Sequence, residues 1–159
     1  MFRPMRRPHL TLTEAEAWAL IERTAYGVLA VHGTEGYPYA VPMNHVVIDG
    51  GIVFHAAVEG HRLEALRADP RACFTVTVGP EEDDNAIPAG TLGTFSSAVV
   101  FGRVSELPLE EQEKALIAFV QRHLPERVEE VAQFMASGRK VAALRMKAEH
   151  ISGKRLVVR

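Results

Sequence analysis

Asp49-Gly50-Gly51 stands between two short apolar runs, Val46-Val47-Ile48 and Ile52-Val53-Phe54. Asp-Gly and Gly-Gly accept the positive φ values that a tight reversal needs, so these runs are expected to pair as antiparallel neighbours. The same reasoning applies upstream. Gly27-Val28-Leu29-Ala30-Val31 is closed by Gly33-Thr34-Glu35-Gly36 and followed by Tyr37-Pro38-Tyr39-Ala40-Val41-Pro42, which reads as a hairpin. Three antiparallel strands are therefore expected before His55.

The flanking segments add helices at the edges of a β scaffold. Thr13 and Glu16 form a capping box ahead of a helical stripe, predicting a first helix from about Glu14 to Arg23. A fourth strand is expected over Ala72–Val78, an acidic loop over Gly79–Gly93 and a fifth strand over Thr94–Glu106. Pro108 breaks the chain before an amphipathic helix, Leu109–His123, and Pro125 separates it from a second helical piece, Arg127–Met135. In the last strand Ala142, Leu144, Met146 and Ala148 alternate with Arg145, Lys147 and Glu149, so one face is buried and one wet. The predicted class is mainly β with peripheral helices, a closed or partly closed barrel in a single domain spanning residues 1–159.

Charge and composition narrow the partners. A formal net charge of -2 and a pI near 6.4 leave no positive excess for a polyanion, which argues against nucleic acid. No apolar stretch is long enough to span a bilayer, and the basic N-terminus lacks the apolar run of a secretory signal, so a cytoplasmic, membrane-free protein is expected. Cys73 is the only cysteine, which permits no internal disulfide and no cysteine metal cluster.

The chemistry concentrates between Val53 and Pro70. There an apolar strand end leads through His55, Ala56 and Ala57 to Gly60-His61-Arg62 and a short helix stopped by Asp69-Pro70. A strand passing through glycine into a helix gathers free backbone N–H groups and the positive end of the helix dipole at one place. The arginine fork fits phosphate oxygens two at a time, so His61 and Arg62 are equipped to hold a phosphomonoester. On local sequence alone, two solvated residues at an exposed helix start are the competing reading. Other sites find less support. The seven histidines include no His-x-x-x-His spacing, so no metal centre is expected. Ser96-Ser97 lacks a nucleophile elbow, and no dinucleotide or phosphate-loop glycine motif occurs.

Three runs, taken together, resemble a known group. They are Gly36–Asn44, then Phe54-His55-Ala56-Ala57 with Glu59-Gly60-His61-Arg62, then Asp69–Phe74. Their order and spacing are similar to those of the pyridoxamine 5'-phosphate oxidase-like FMN-binding split barrels, and within them to the 5-nitroimidazole reductase (nitroimidazole resistance) branch. Phe95–Gly102 and Ile151–Lys154 extend the likeness over nearly the whole chain. The resemblance implies that His61 and Arg62 hold the FMN phosphate and that Val41, Pro42, Met43 and Asn44 flank the flavin ring. It further implies that His55 and Ala56 approach the ring or its ribityl chain, that Ser97 hydrogen-bonds the flavin, and that a homodimer completes the site. The branch commonly carries Lys where Arg62 stands and Tyr-x-Ser where Phe95-Ser96-Ser97 stands.

Two function classes follow from the resemblance. One is an FMN-dependent oxidoreductase that reduces a small acceptor such as a nitroaromatic compound, with NAD(P)H as a candidate donor. The other is a non-catalytic FMN-binding or flavin-storage protein on the same fold. If the protein is an enzyme, His55 is the expected catalytic residue, delivering a proton or hydrogen-bonding an oxygen as charge develops on it. The competing reading makes His55 a half-buried strand residue that only packs.

Overall fold

Asn44 and Val46 are separated by one residue, yet the strands they belong to lie at opposite ends of the sheet. Only a sheet curled back on itself can bring its two ends that close, so this one junction marks a split barrel. In the computed structural model, residues 2–79, 95–137 and 141–156 are described. The strands and helices in chain order are β1 (Thr11–Leu12), α1 (Glu14–Arg23), β2 (Tyr26–His32), β3 (Pro38–Asn44), β4 (Val46–Ile48) and β5 (Gly51–Ala56). They continue with α2 (His61–Ala68), β6 (Arg71–Val78), β7 (Phe95–Glu106), α3 (Leu109–His123), α4 (Val128–Ala136) and β8 (Ala142–Leu156). The strand order is β3-β2-β6-β7-β8-β5-β4, antiparallel at every step, with β1 added against β8. This is the expected mostly β split barrel with peripheral helices.

Two expectations are corrected in detail. Four longer strands, not three, precede α2, because the chain breaks at His45 and its two arms join opposite edges. The last strand runs on to Leu156, past the stretch whose alternation announced it, because β7 remains its partner as far as Phe95. The loop expected over Gly79–Gly93 lies, beyond Gly79, outside the described residues.

The barrel interior is filled by alternate residues of every strand. Leu29, Ile52, Phe54, Phe74, Val76, Val100, Leu144 and Met146 are buried there, and Phe54 meets Phe74 edge to face at 5.1 Å. Helix α1 caps one end through Ala17, Leu20 and Ile21, and its start is fixed by the reciprocal Thr13–Glu16 bonds that the sequence predicts. Strand β5 is buried on both sides save at His55. Its Ile52, Phe54 and Ala56 face the barrel, while Val53 joins Ala143 in a second apolar cluster beneath Ala115 and Leu116 of α3. His55 shares the Val53 side, so the alternation of one strand turns it toward α3 rather than into the barrel.

At the β3–β4 junction His45 is 1% exposed. Its Nε2–H donates to the Ile21 carbonyl at 2.7 Å, and its ring meets Phe74 edge-on at 4.8 Å. Burial first, then the Arg122 and His123 charges, push the His45 imidazole down to about 4, outweighing the Ile21 bond that favours its charged form. A neutral ring lets the sheet change edges here without burying a charge.

Candidate functional site

Helix α2 begins at Gly60, whose φ of +117° lies in the region glycine tolerates best. The Gly60 carbonyl accepts from Leu63 and Glu64, which leaves the backbone N–H groups of His61 and Arg62 at the open helix start. Leu63, Ala65 and Leu66 are buried and hold the helix in place. Arg62 then reaches across to β3, where its Nη1 lies 2.8 Å from the Met43 sulfur. A thioether is a weak acceptor, and the Arg62 Nε is buried with no hydrogen-bond partner among the described residues. No carboxylate of the described residues answers the guanidinium charge, which suits an incoming anion.

His61 points the other way, toward the β2–β3 turn. Its ring stacks on Tyr39 with centroids 4.5 Å apart, and its Nε2 lies 3.2 Å from the Thr34 hydroxyl and 3.2 Å from a Glu35 carboxylate oxygen. His61 and Arg62 are sequence neighbours but face different partners.

His55 packs edge-on against Phe119 of α3 at 4.8 Å, and Phe119 in turn meets His123 at 4.6 Å. His123 is itself anchored, its Nε2–H donating to the His45 carbonyl at 2.7 Å. Partial burial, followed by the nearby positive charges of Arg62 and His123, holds the His55 imidazole below its usual range. At neutral pH it is therefore an uncharged ring that can donate one hydrogen bond.

The structure gathers Met43, His55 and Arg62 in one neighbourhood, with His61 beside them across Tyr39. Val41 and Met43 take the inner face of β3, whereas Pro42 and Asn44 take the outer face, and Asn44 is committed to the Ala25 carbonyl at 3.2 Å. Ala56 is buried and pairs with Ala142. Ser97 is not brought to this neighbourhood within one chain. It pairs with Thr77 and Lys154, whereas His55 pairs with Ala143 at the far end of β8, and α2 reaches β7 at Glu106, the end opposite Ser97. Sequence reasoning gave no role to Tyr39, Glu35, Phe119 or His123. Tyr39 shares the period-two face of Val41 and Met43, and Phe119 and His123 share a helix face by their i, i+4 spacing, so both signals were present.

A concavity of about 350 Å³ lies elsewhere, lined by Ala30, His32, Tyr37, Arg71, Cys73 and Phe101 among others, and includes none of the predicted site residues. Its arginine is already satisfied by three contacts to Asp69, at 2.6, 2.9 and 3.1 Å, and burial pushes the Cys73 thiol up, away from reactivity. No group of three or more His, Cys, Asp or Glu side chains suited to a metal ion occurs among the described residues. Among those residues, no helix is long and apolar enough to cross a membrane.

A sequence profile described as "Pyridoxamine 5'-phosphate oxidase" matches residues 13–155. No curated protein sequence matches the chain. Among solved structures, a conserved hypothetical protein of Mycobacterium tuberculosis is similar with a TM-score of 0.77 at 22% identity, covering 96% of this chain and 90% of that one. A provisionally named 5-nitroimidazole antibiotic resistance protein from Bacteroides thetaiotaomicron gives 0.67 at 20% identity, covering 91% and 86%. The flavocytochrome Anf3 of Azotobacter vinelandii gives 0.76 at 18% identity, covering 98% and 73%. At these identities the likeness is one of fold.

Proposed function

The chain belongs to the pyridoxamine 5'-phosphate oxidase family, a flavin-binding family, and from that premise we propose that it is an FMN-dependent oxidoreductase acting on small electron acceptors such as nitroaromatic compounds. The observation that carries the proposal is Arg62, a guanidinium held against a thioether at the open start of α2 with its Nε unpartnered among the described residues. An anionic group is what such an arrangement lacks, and a phosphomonoester meets both the fork and the free N–H groups beside it.

Bound flavin would supply the redox chemistry, and the residues of this chain would bind and orient it. Arg62 and the N–H groups of His61 and Arg62 would hold the phosphate. Val41 and Met43 on β3 would offer apolar surface to the ring. His55, uncharged at neutral pH, is better suited to donate a hydrogen bond to an acceptor oxygen than to act as a resident imidazolium, which favours one of the two roles expected of it.

A homodimer belongs to the same proposal. The outer face of the sheet carries a cross-strand row of Pro42, Val28, Thr75 and Val99, and Ser97 lies two residues from Val99 on that face. Val28 and Phe101 are each 37% exposed there and Tyr26 is 51% exposed, a degree of apolar exposure that a second copy would cover. With the faces apposed, Ser97 of one chain could meet the Arg62 site of the other. The test is nicotinamide-dependent reduction of a nitroaromatic by the FMN-loaded protein. Flavin binding without turnover of any nitro or quinone acceptor would make the protein a flavin carrier instead.

A further inference from the structure

His61 has one Nε2, and in this structure the β2–β3 turn occupies it. The turn is built rather than loose: the Gly33 N–H donates to the Tyr37 carbonyl at 2.9 Å, the Gly36 N–H donates to the Gly33 carbonyl at 3.2 Å, and Gly36 has a φ of +83°. It presents the Thr34 hydroxyl and the Glu35 carboxylate to the same nitrogen, each at 3.2 Å, with the Thr34 backbone N–H at 3.5 Å. Stacking on Tyr39 fixes the plane of the ring, so its edge stays aimed at the turn. The Thr34 hydroxyl first, then the backbone N–H of Glu35 and the His61 ring, hold the Glu35 carboxyl below the usual carboxylate range. Glu35 is therefore an anion throughout the neutral range.

We infer that Glu35 is a negative determinant of flavin phosphate binding: its carboxylate takes the edge of His61 that a phosphate would use, so the two anions exclude one another. This rests on the reading of His61 and Arg62 as the phosphate site. A proton on Nε2 can be given to one strong acceptor at a time, and a carboxylate left beside a bound phosphomonoester repels it. Binding the cofactor requires either that Glu35 swing away or that His61 contribute nothing, and both lower affinity. Arg62 faces Met43 and is free of this competition, so the two members of the basic pair differ in kind: one is open, the other guarded.

The experiment compares flavin titrations of the parent protein and of Glu35→Gln, using FMN and riboflavin, followed by quenching of flavin fluorescence. Glu35 is 69% exposed and the pair is solvent-screened, so the expected gain in FMN affinity is roughly three- to fivefold. Riboflavin, which has no phosphate, should bind the two proteins equally. In a His61→Ala background the gain should shrink, since the competition is for that ring. Unchanged or weaker FMN binding by Glu35→Gln, or an equal gain for riboflavin, overturns the inference while leaving the flavin site standing. A parent protein that binds neither flavin overturns both together.

Discussion

Ser97 and His55 both lie opposite residues of β8, but Ser97 faces Lys154 and His55 faces Ala143. At about 3.3 Å per residue this separation is on the order of 30 Å along the strand, far more than the length of a flavin ring system. If both residues serve one cofactor, this spacing favours their coming from two chains. Mixing Arg62→Ala protein with Ser97→Ala protein under conditions that exchange subunits should then restore one intact site per mixed dimer. FMN occupancy above that of either parent variant checks this, and occupancy that is merely the average of the two would place the whole site in one chain.

His45 should make the fold sensitive to acid. In the unfolded chain its imidazole titrates near 6.5, but in the folded chain only at about 4. A proton therefore binds the unfolded state more readily, so the stability is fully present above about pH 6.5 and is lost as pH falls toward 4. The loss should be about 3 kcal/mol, and His55, also held low, acts in the same sense. His45→Gln keeps a donor for the Ile21 carbonyl but cannot titrate. Urea unfolding between pH 7 and 4.5 should show a clearly flatter decline for that variant.

Gly102 sits at the register shift between β7 and β8, where a Cβ would clash with the Lys147 carbonyl oxygen. Backbone cannot yield as a flexible side chain can, so Gly102→Ala should lower stability by roughly 1–3 kcal/mol. A denaturation midpoint equal to that of the parent would mean that the two strands are not in contact as described.

His55→Ala should lower turnover of a nitroaromatic acceptor by roughly three- to tenfold, the worth of one hydrogen bond of about 1 kcal/mol, with FMN occupancy unchanged. Equal turnover would return His55 to packing against Phe119.

Local signals were legible where the chemistry itself is local. The Thr13–Glu16 box, the Asp49-Gly50 turn with φ values of +50° and +71°, and the limits of α1 and α3 can all be read from a few residues. The edge change at His45 cannot, because what separates β3 from β4 is closure of the barrel around Phe74 and Ile21, residues distant in the chain. Beyond Ala148 the alternation of β8 lapses at Gly153, where a Cβ would come within 2.9 Å of Leu12 and Ala17. The approach of β1 and α1 there replaces a side-chain pattern. At the candidate site, the composition of the Gly60-His61-Arg62 stretch was legible. The direction each side chain takes was not, since Met43 and Glu35 are supplied by the hairpin of β2 and β3.

Whether Arg62 reads a phosphate is decided by a titration of parent and Arg62→Ala protein with FMN and riboflavin. The parent should bind FMN saturably. Arg62→Ala should lose roughly 1.5–3 kcal/mol toward FMN, about tenfold or more, with little change toward riboflavin. Equal losses for the two flavins, or a parent that binds no flavin, would contradict it.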